Sequence, residues 1–220
     1  MRSCSRKGVV GAFLGLALLS AAWAAEPEPA GHVTRVQGGV RALPAEPPGG
    51  PSRPLGLGKP IYAGERLLTD PDARLEIRLR NGVAVTLGEK TEFVVQSVPD
   101  AGNGEGGTFM ELARGVFRAI TPKTATDRPQ PVQVRTPVAV IGIRGTDFWG
   151  GFHFQPGALD VVMLAGKGVY VETLAGRVEL ATPGQGTTVS DPTRPPEAPQ
   201  AWPQTKLRIA QDSVAWREAR

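Results

Sequence analysis

The chain has 220 residues, with 25 Lys and Arg against 21 Asp and Glu, two histidines and one cysteine. One cysteine excludes an internal disulfide, and so few His and Cys side chains leave no ligand set at usual spacing for a zinc site. The length suits a single domain with an ordinary hydrophobic core.

The first element in chain order is an export signal over residues 1–24. Arg2, Arg6 and Lys7 make a positive start, residues 8–22 are almost wholly apolar, and Ala22 and Ala24 place small residues where a signal peptidase reads them. The apolar run of 15 residues falls short of the roughly 20 that cross a bilayer as a helix. Cleavage near Ala24 is expected, with no membrane span in the mature chain, which would be periplasmic or secreted. Cys4 leaves with the signal. So do three cations, so the remainder carries 22 basic and 21 acidic residues. Both signs are mixed along every segment, without the basic stripe of a nucleic-acid binder, and no nucleic-acid partner is expected.

Residues 25–30 read as a linker. From 31 to 190, short β-like runs alternate with Gly, Pro, Asn and Asp clusters, and no stretch shows helical apolar spacing over three turns. In LEIRLRNGVAVTL, Leu75, Ile77 and Leu79 alternate with Glu76, Arg78 and Arg80, and Val83, Val85 and Leu87 resume the apolar face. Asn81-Gly82 between them predicts a two-residue type I′ turn. Glycine turns leading into valine recur as GGVRAL, NGVAVTL, RGVFRAI, GKGVYVETL and AGRVELAT at uneven intervals. Such spacing rules out a fixed-period repeat and predicts short hairpins stacked on one another. The expected fold is one all-β domain over 31–190, β-solenoid-like, with a β-sandwich as the alternative.

In VRTPVAVIGIRGTDF (134–148), residues 138–143 carry no polar side chain. Thr136 before Pro137 favours extended backbone, and an apolar run without alternation suits a strand covered on both faces. Gly142 and Gly145 allow close backbone approach or a bend. Arg144 would close that strand, its guanidinium bonding carbonyls or a carboxylate; recognition of an anionic ligand is the competing role. Gly145 and Thr146 complete the element. In FWGGFHFQPG beyond it, Phe148, Trp149, Phe152 and Phe154 make up four of the eleven aromatic residues after Ala24. Phe152 and Phe154 are expected on one strand face opposite His153. Trp149, Phe152 and Phe154 form either a contact surface or the end of the core.

Residues 191–204 are proline-rich and expected to run extended as a linker. In the tail, 205–220, Leu207, Ala210, Val214 and Trp216 hint at a short helix, which either docks on a partner or packs back on the domain.

The ordered elements GKPIYAGERLLTD (58–70), NGVAVTLG (81–88), MELARGVF (110–117), VRTPVAVIGIRGTDF and VMLAGKGV (162–169) resemble the FecR-domain family of bacterial envelope proteins. The resemblance covers about residues 31–190, and the paired Thr-Pro and Arg-Gly-Thr elements are its most specific part. It implies an all-β, solenoid-like domain outside the cytoplasmic membrane that makes protein contacts. The regulators of that family resemble a relay of cytoplasmic anti-sigma segment, membrane span and sensing domain. Here only the export signal is seen ahead of the domain, so an anti-sigma role of its own is not expected.

No catalytic constellation emerges. His32 and His153 lack a nearby G-x-S-x-G, and GLGKP and AGKGV lack phosphate-loop spacing. Glu65, Asp70, Glu76, Glu89, Glu92 and Glu111 are scattered carboxylates that would have to meet in space for glycosidase chemistry. No cofactor is expected. The favoured reading is a non-catalytic sensing or protein-interaction module with an unidentified envelope protein as partner; the alternative is an envelope polysaccharide-binding or hydrolytic domain.

Overall fold

The computed structural model describes residues 27–45, 50–99, 106–122 and 131–217. The expected export signal lies outside them. The first six strands are β1 (Gly31–Gln37), β2 (Val40–Leu43), β3 (Arg53–Pro54), β4 (Pro60–Ile61), β5 (Arg66–Thr69) and β6 (Arg74–Leu79). There follow β7 (Ala84–Leu87), β8 (Glu92–Ser97), β9 (Thr108–Arg114), β10 (Val116–Ile120), β11 (Val132–Arg135) and β12 (Val140–Ile143). The last are β13 (Thr146–Gly151), β14 (Leu159–Gly166), β15 (Val169–Thr173), β16 (Gly176–Leu180), β17 (Gln185–Val189) and β18 (Gln200–Ala201), then the helix α1 (Gln204–Asp212).

Apolar alternation places these strands in two nine-stranded sheets. The first runs β18-β17-β14-β13-β10-β7-β6-β1-β4 and the second β16-β15-β12-β11-β9-β8-β5-β2-β3. Chain order advances along both sheets together, apart from the first pair at one end. The stacked-hairpin expectation therefore describes the order of elements, while the sheets face each other as a sandwich. All ladders among the described residues are antiparallel except β9 with β11, where β10 intervenes in the opposite sheet. One core joins the sheets. Phe117 of the first sheet lies 5.6 Å from Phe93 of the second and 5.3 Å from Phe148, edge-on to the latter at 84°. All three are fully buried.

The β6–β7 hairpin forms as predicted, pairing Leu75 with Leu87 and Ile77 with Val85. Its turn differs. Gly82 N–H donates to the Leu79 carbonyl at 2.8 Å and Leu79 N–H to that of Val83 at 2.8 Å, so Arg80, Asn81 and Gly82 form a three-residue loop. Only Gly82, at φ 86°, is left-handed there. Asn81 instead uses its side chain, donating to Thr108 Oγ1 at 2.6 Å, which a type I′ conformation would have to accommodate.

The chain passes between sheets at corners held by threonine pairs. Thr91 N–H donates to Thr69 Oγ1 at 2.9 Å and Thr69 N–H to the Thr91 carbonyl at 3.1 Å. Thr146 N–H donates likewise to Thr121 Oγ1 at 2.7 Å, and Thr121 N–H to the Thr146 carbonyl at 3.1 Å. Each corner hydroxyl accepts a further amide: Val116 N–H on Thr91 at 3.1 Å and Gly168 N–H on Thr146 at 3.2 Å. The preceding residue is left-handed in both, Lys90 at φ 53° and Gly145 at φ 56°. The Gly-Thr of the sequence motif is thus one of two equivalent corners, and glycine there avoids the strain Lys90 bears.

Residues 200–217 lie across the outer face of the first sheet. β18 extends that sheet, Trp202 covers Gly186, and Ala210, Val214 and Leu207 pack with Val116, Trp149 and Val162 into a second apolar cluster. Arg35 stacks on Trp216 with 4.2 Å from guanidinium carbon to ring centroid.

Candidate functional site

With one outer face of the sandwich under the C-terminal segment, the outer face of the second sheet is the one left open among the described residues. Alternation in β9, β11, β12, β15 and β16 turns every second side chain towards it. Register aligns Phe109, Gln133, Gly142, Tyr170 and Glu179 in one cross-strand row. Glu111, Arg135, Val140, Glu172 and Arg177 form the next.

The first row is internally organised. A Cβ on Gly142 would come within 1.9 Å of Tyr170 Cζ, so glycine is what lets the Tyr170 ring lie flat across β12. Gln133 Nε2 donates to the Tyr170 hydroxyl at 2.9 Å, and the Arg177 guanidinium stacks on the ring 3.7 Å from its centroid while Nη2 donates to Glu179 at 2.8 Å. Such cation–π contacts hold an aromatic ring and a charge in one rigid arrangement. Phe109 stands beside them at 40% exposure.

Two grooves open on this face. One of about 190 Å³ runs beside Gln96, Phe109 and Glu111. The larger, about 600 Å³, runs between Arg135, Pro137, Val138, Val140 and the β15–β16 turn, where Leu174 is 89% exposed. Its rim is the Thr-Pro element. Thr136 Oγ1 accepts from the amides of Val138 at 3.3 Å and Ala139 at 3.0 Å and lies 2.9 Å from the Ala139 carbonyl, closing the β11–β12 turn with Pro137 exposed at its tip. The apolar run 138–143 is therefore divided: Ile141 and Ile143 enter the core, Val140 lines the groove, and Val138 lines it while packing against the core.

Arg144 departs from expectation. Strand β12 ends at Ile143, Arg144 N–H donates to the Gly168 carbonyl at 3.2 Å, and the exposed side chain makes no hydrogen bond or ion pair among the described residues. It borders a cleft of about 80 Å³ with Lys167, Tyr170 and Arg177. The turn at Gly145 directs it outward instead of onto strand-end carbonyls. The aromatic segment also divides. Trp149 is fully buried under Trp202 and α1 and offers no surface. Because β13 ends at Gly151, Phe152 and Phe154 do not share a strand face: Phe152 packs on the main core and Phe154 joins the second cluster.

Among the described residues no group of His, Cys, Asp and Glu is placed to hold a metal ion. The six carboxylates singled out in the sequence have separate partners. Glu65 pairs with Arg53, Asp70 with Arg41, and Glu92 with Arg66 and Arg114, while Glu76, Glu89 and Glu111 accept from Thr34, the Asp72 amide and Gln96. This face offers aromatic and charged side chains that suit binding by shape and charge. Sequence reasoning missed Phe109, Gln133 and Tyr170; their signal is the alternation in TFMELAR, VQVR and VYVET, but the shared row depends on which strands neighbour one another.

The family described as FecR protein matches residues 65–179, a little over half of the chain. The chain belongs to the FecR family. The matched span starts just before β5 and ends in β16, so this FecR domain includes both cross-strand rows and both motif turns. Two crystal structures, at 2.50 Å and 1.65 Å, of a candidate anti-sigma factor from Parabacteroides distasonis ATCC 8503 share its fold, with TM-scores of 0.52 and 0.51 at 16% identity. Each alignment covers 65% of this chain and 62% of the other, so less than two thirds of that protein is matched. No curated protein sequence matches significantly. Among the described residues of this FecR domain, no helix is long and apolar enough to cross a membrane.

Proposed function

We propose that this FecR-domain protein is a non-catalytic, exported sensing module that works by protein contact in the bacterial cell envelope, through the outer face of its second sheet. One observation carries the proposal: among the described residues, the tail covers one face of the sandwich and nothing covers the other, where Phe109, Tyr170 and Leu174 stand among mixed charges. Aromatic anchors ringed by polar and charged groups are the composition of protein interfaces. Export to the periplasm or beyond rests on the signal motif at residues 1–24, and the envelope partner on family membership.

The test is site-specific photo-crosslinking of the tagged full chain in its own cell envelope, with the crosslinking residue at Phe109, at Leu174, or at Leu57 in the β3–β4 turn. The expected result is one reproducible protein adduct from Phe109 and Leu174 and none from Leu57. Adducts indifferent to position, or no adduct together with saturable binding to envelope glycan fragments, would overturn it and favour a polysaccharide ligand.

A further inference from the structure

Three arginines of the domain invite comparison. Arg53 lays the Nε/Nη2 edge of its guanidinium on Glu65 at 3.0 and 2.6 Å, and Arg118 lays the same edge on Asp147 at 2.8 and 2.6 Å. Arg74 is more buried than either, at 2% exposure. Its Nη1 donates to the Ala73 carbonyl at 2.7 Å, but Nε has no hydrogen-bond partner and the side chain makes no ion pair among the described residues. Buried polar groups are almost always satisfied, and a guanidinium edge that meets a carboxylate elsewhere in the same molecule is the strongest such donor.

The surroundings of Arg74 supply room for a partner. Leu75, Ile77 and Leu79 of β6 point into the core, so Arg74 points to the opposite face, where it lines a cleft of about 550 Å³ between the sheet and the C-terminal segment. Lys90 adds a second cation, Phe152 and Ile209 apolar surface, and Asp212 a carboxylate at the helix end. Glu89 and Arg217 also line it, but Glu89 accepts the Asp72 amide and Arg217 pairs with the Asp72 carboxylate. Burial lowers the pKa of Arg74 from its ordinary value and Arg217 adds to this, while Glu89 and Asp72 oppose it. Ligand sites commonly enclose about 300–1,000 Å³, apolar with a few convergent polar groups.

We infer that this cleft binds a small carboxylate ligand, whose carboxylate meets the Nη2 end of the Arg74 guanidinium, the part that is neither bonded among the described residues nor sealed from solvent, and whose apolar body lies against Phe152 and Ile209. The site is separate from the proposed protein-binding face. Because Ile209 and Arg217 belong to the C-terminal segment, an occupant also holds that segment against the sheet.

The test follows the Arg74 Nε–H resonance by NMR in the full chain during titration with N-acetyl-L-leucine, D-glucuronate and inorganic phosphate. At least one carboxylate is expected to move it saturably. Arg74→Met should weaken that binding about tenfold or more, whereas Arg118→Met, whose edge already meets Asp147, should leave it within about twofold. Should Arg74→Met fail to fold, Lys90→Met is expected to weaken binding about threefold in its place. A response to N-acetyl-leucine alone identifies a peptide terminus as the source, and one to glucuronate alone a sugar acid. A resonance unmoved by both carboxylates, or moved by phosphate only, overturns the inference.

Discussion

The indole N–H of Trp149 donates to Ser213 Oγ at 3.0 Å, joining β13 to the end of α1 across 64 residues of chain. Ser213 Oγ in turn donates to the Ala210 carbonyl at 2.6 Å, and Trp202 and Phe154 meet the Trp149 ring edge-on at 6.2 and 5.9 Å. Trp149→Phe keeps most of the ring and loses the bond, for an expected loss of about 1 kcal/mol. Trp202→Ala empties the cluster and should cost about 3–5 kcal/mol. Urea unfolding measures both, and limited proteolysis should show the C-terminal segment cut first in Trp202→Ala.

Lys206 Nζ lies 2.7 Å from Asp160 Oδ1, which also accepts the Thr188 hydroxyl at 2.8 Å. The Asp160 side chain is 2% exposed, and the ammonium sits 4.0 Å from the Trp202 ring centroid. Lys206→Met leaves a buried carboxylate without its cation. Since Lys206 itself is 27% exposed, the expected loss is about 2–3 kcal/mol, below that of a fully buried pair. The double variant Asp160→Asn/Lys206→Met should be less destabilised than the sum of the two single variants, which a double-mutant cycle by thermal unfolding will show.

At the β12–β13 corner, Thr146 Oγ1 accepts from Gly168 N–H and lies 2.8 Å from the Arg144 carbonyl and 2.9 Å from that of Gly168. Thr146→Val leaves a buried amide without a partner and should cost about 1–3 kcal/mol. Thr146→Ser retains the hydroxyl and should recover most of it. Equal losses in the two, measured by chemical denaturation, would show that the methyl and not the hydroxyl matters.

Two glycines with close neighbours should respond differently to alanine. At Gly115, φ is +89° and a Cβ would sit 2.5 Å from the Thr91 Cα, so backbone must shift; a loss above about 2 kcal/mol is expected. At Gly142 the obstacle is the tip of the Tyr170 side chain, which can swing away. Gly142→Ala should stay within about 1 kcal/mol of wild type while displacing the ring from Arg177, and crosslinking through Phe109 should fall.

The Asp191 carboxylate is held below the usual carboxylate range, first by the Thr193 hydroxyl at 2.7 Å and then by its amide at 2.8 Å. A lowered folded pKa means that the unfolded chain binds the proton more readily. The contribution of this turn is therefore present above the ordinary carboxylate value and is lost as pH falls through the folded one. NMR titration of the Asp191 side chain should give a midpoint below the ordinary range, and Thr193→Ala should move it back up.

The β6–β7 hairpin was legible because its apolar face alternates on both sides of the turn within the thirteen residues 75–87, and adjacent pairing leaves little else for it to do. Its loop was not: Asn81 is drawn to Thr108, 27 residues away, and no local rule contains that bond. Gly142 and Gly145 allowed a close approach or a bend, but that Lys90 and Thr91 build the same corner as Gly145 and Thr146 could be seen only from matching hydrogen bonds. Trp149, Phe152 and Phe154 read as one aromatic patch, yet the chain turns after Gly151 and sends Phe152 to the main core while Phe154 joins Trp149 in the second cluster.

Local alternation and turn chemistry by themselves determined an all-β chain of short hairpins, because side-chain period and glycine conformation act over a few residues. The ordered motifs determined its FecR membership. Which face stays open was decided only in three dimensions: Trp149 is covered by residues more than fifty positions later, and the row from Phe109 to Glu179 exists through the register of five strands. Those pairings arise from burying the common core, a property of the whole chain that no single segment contains.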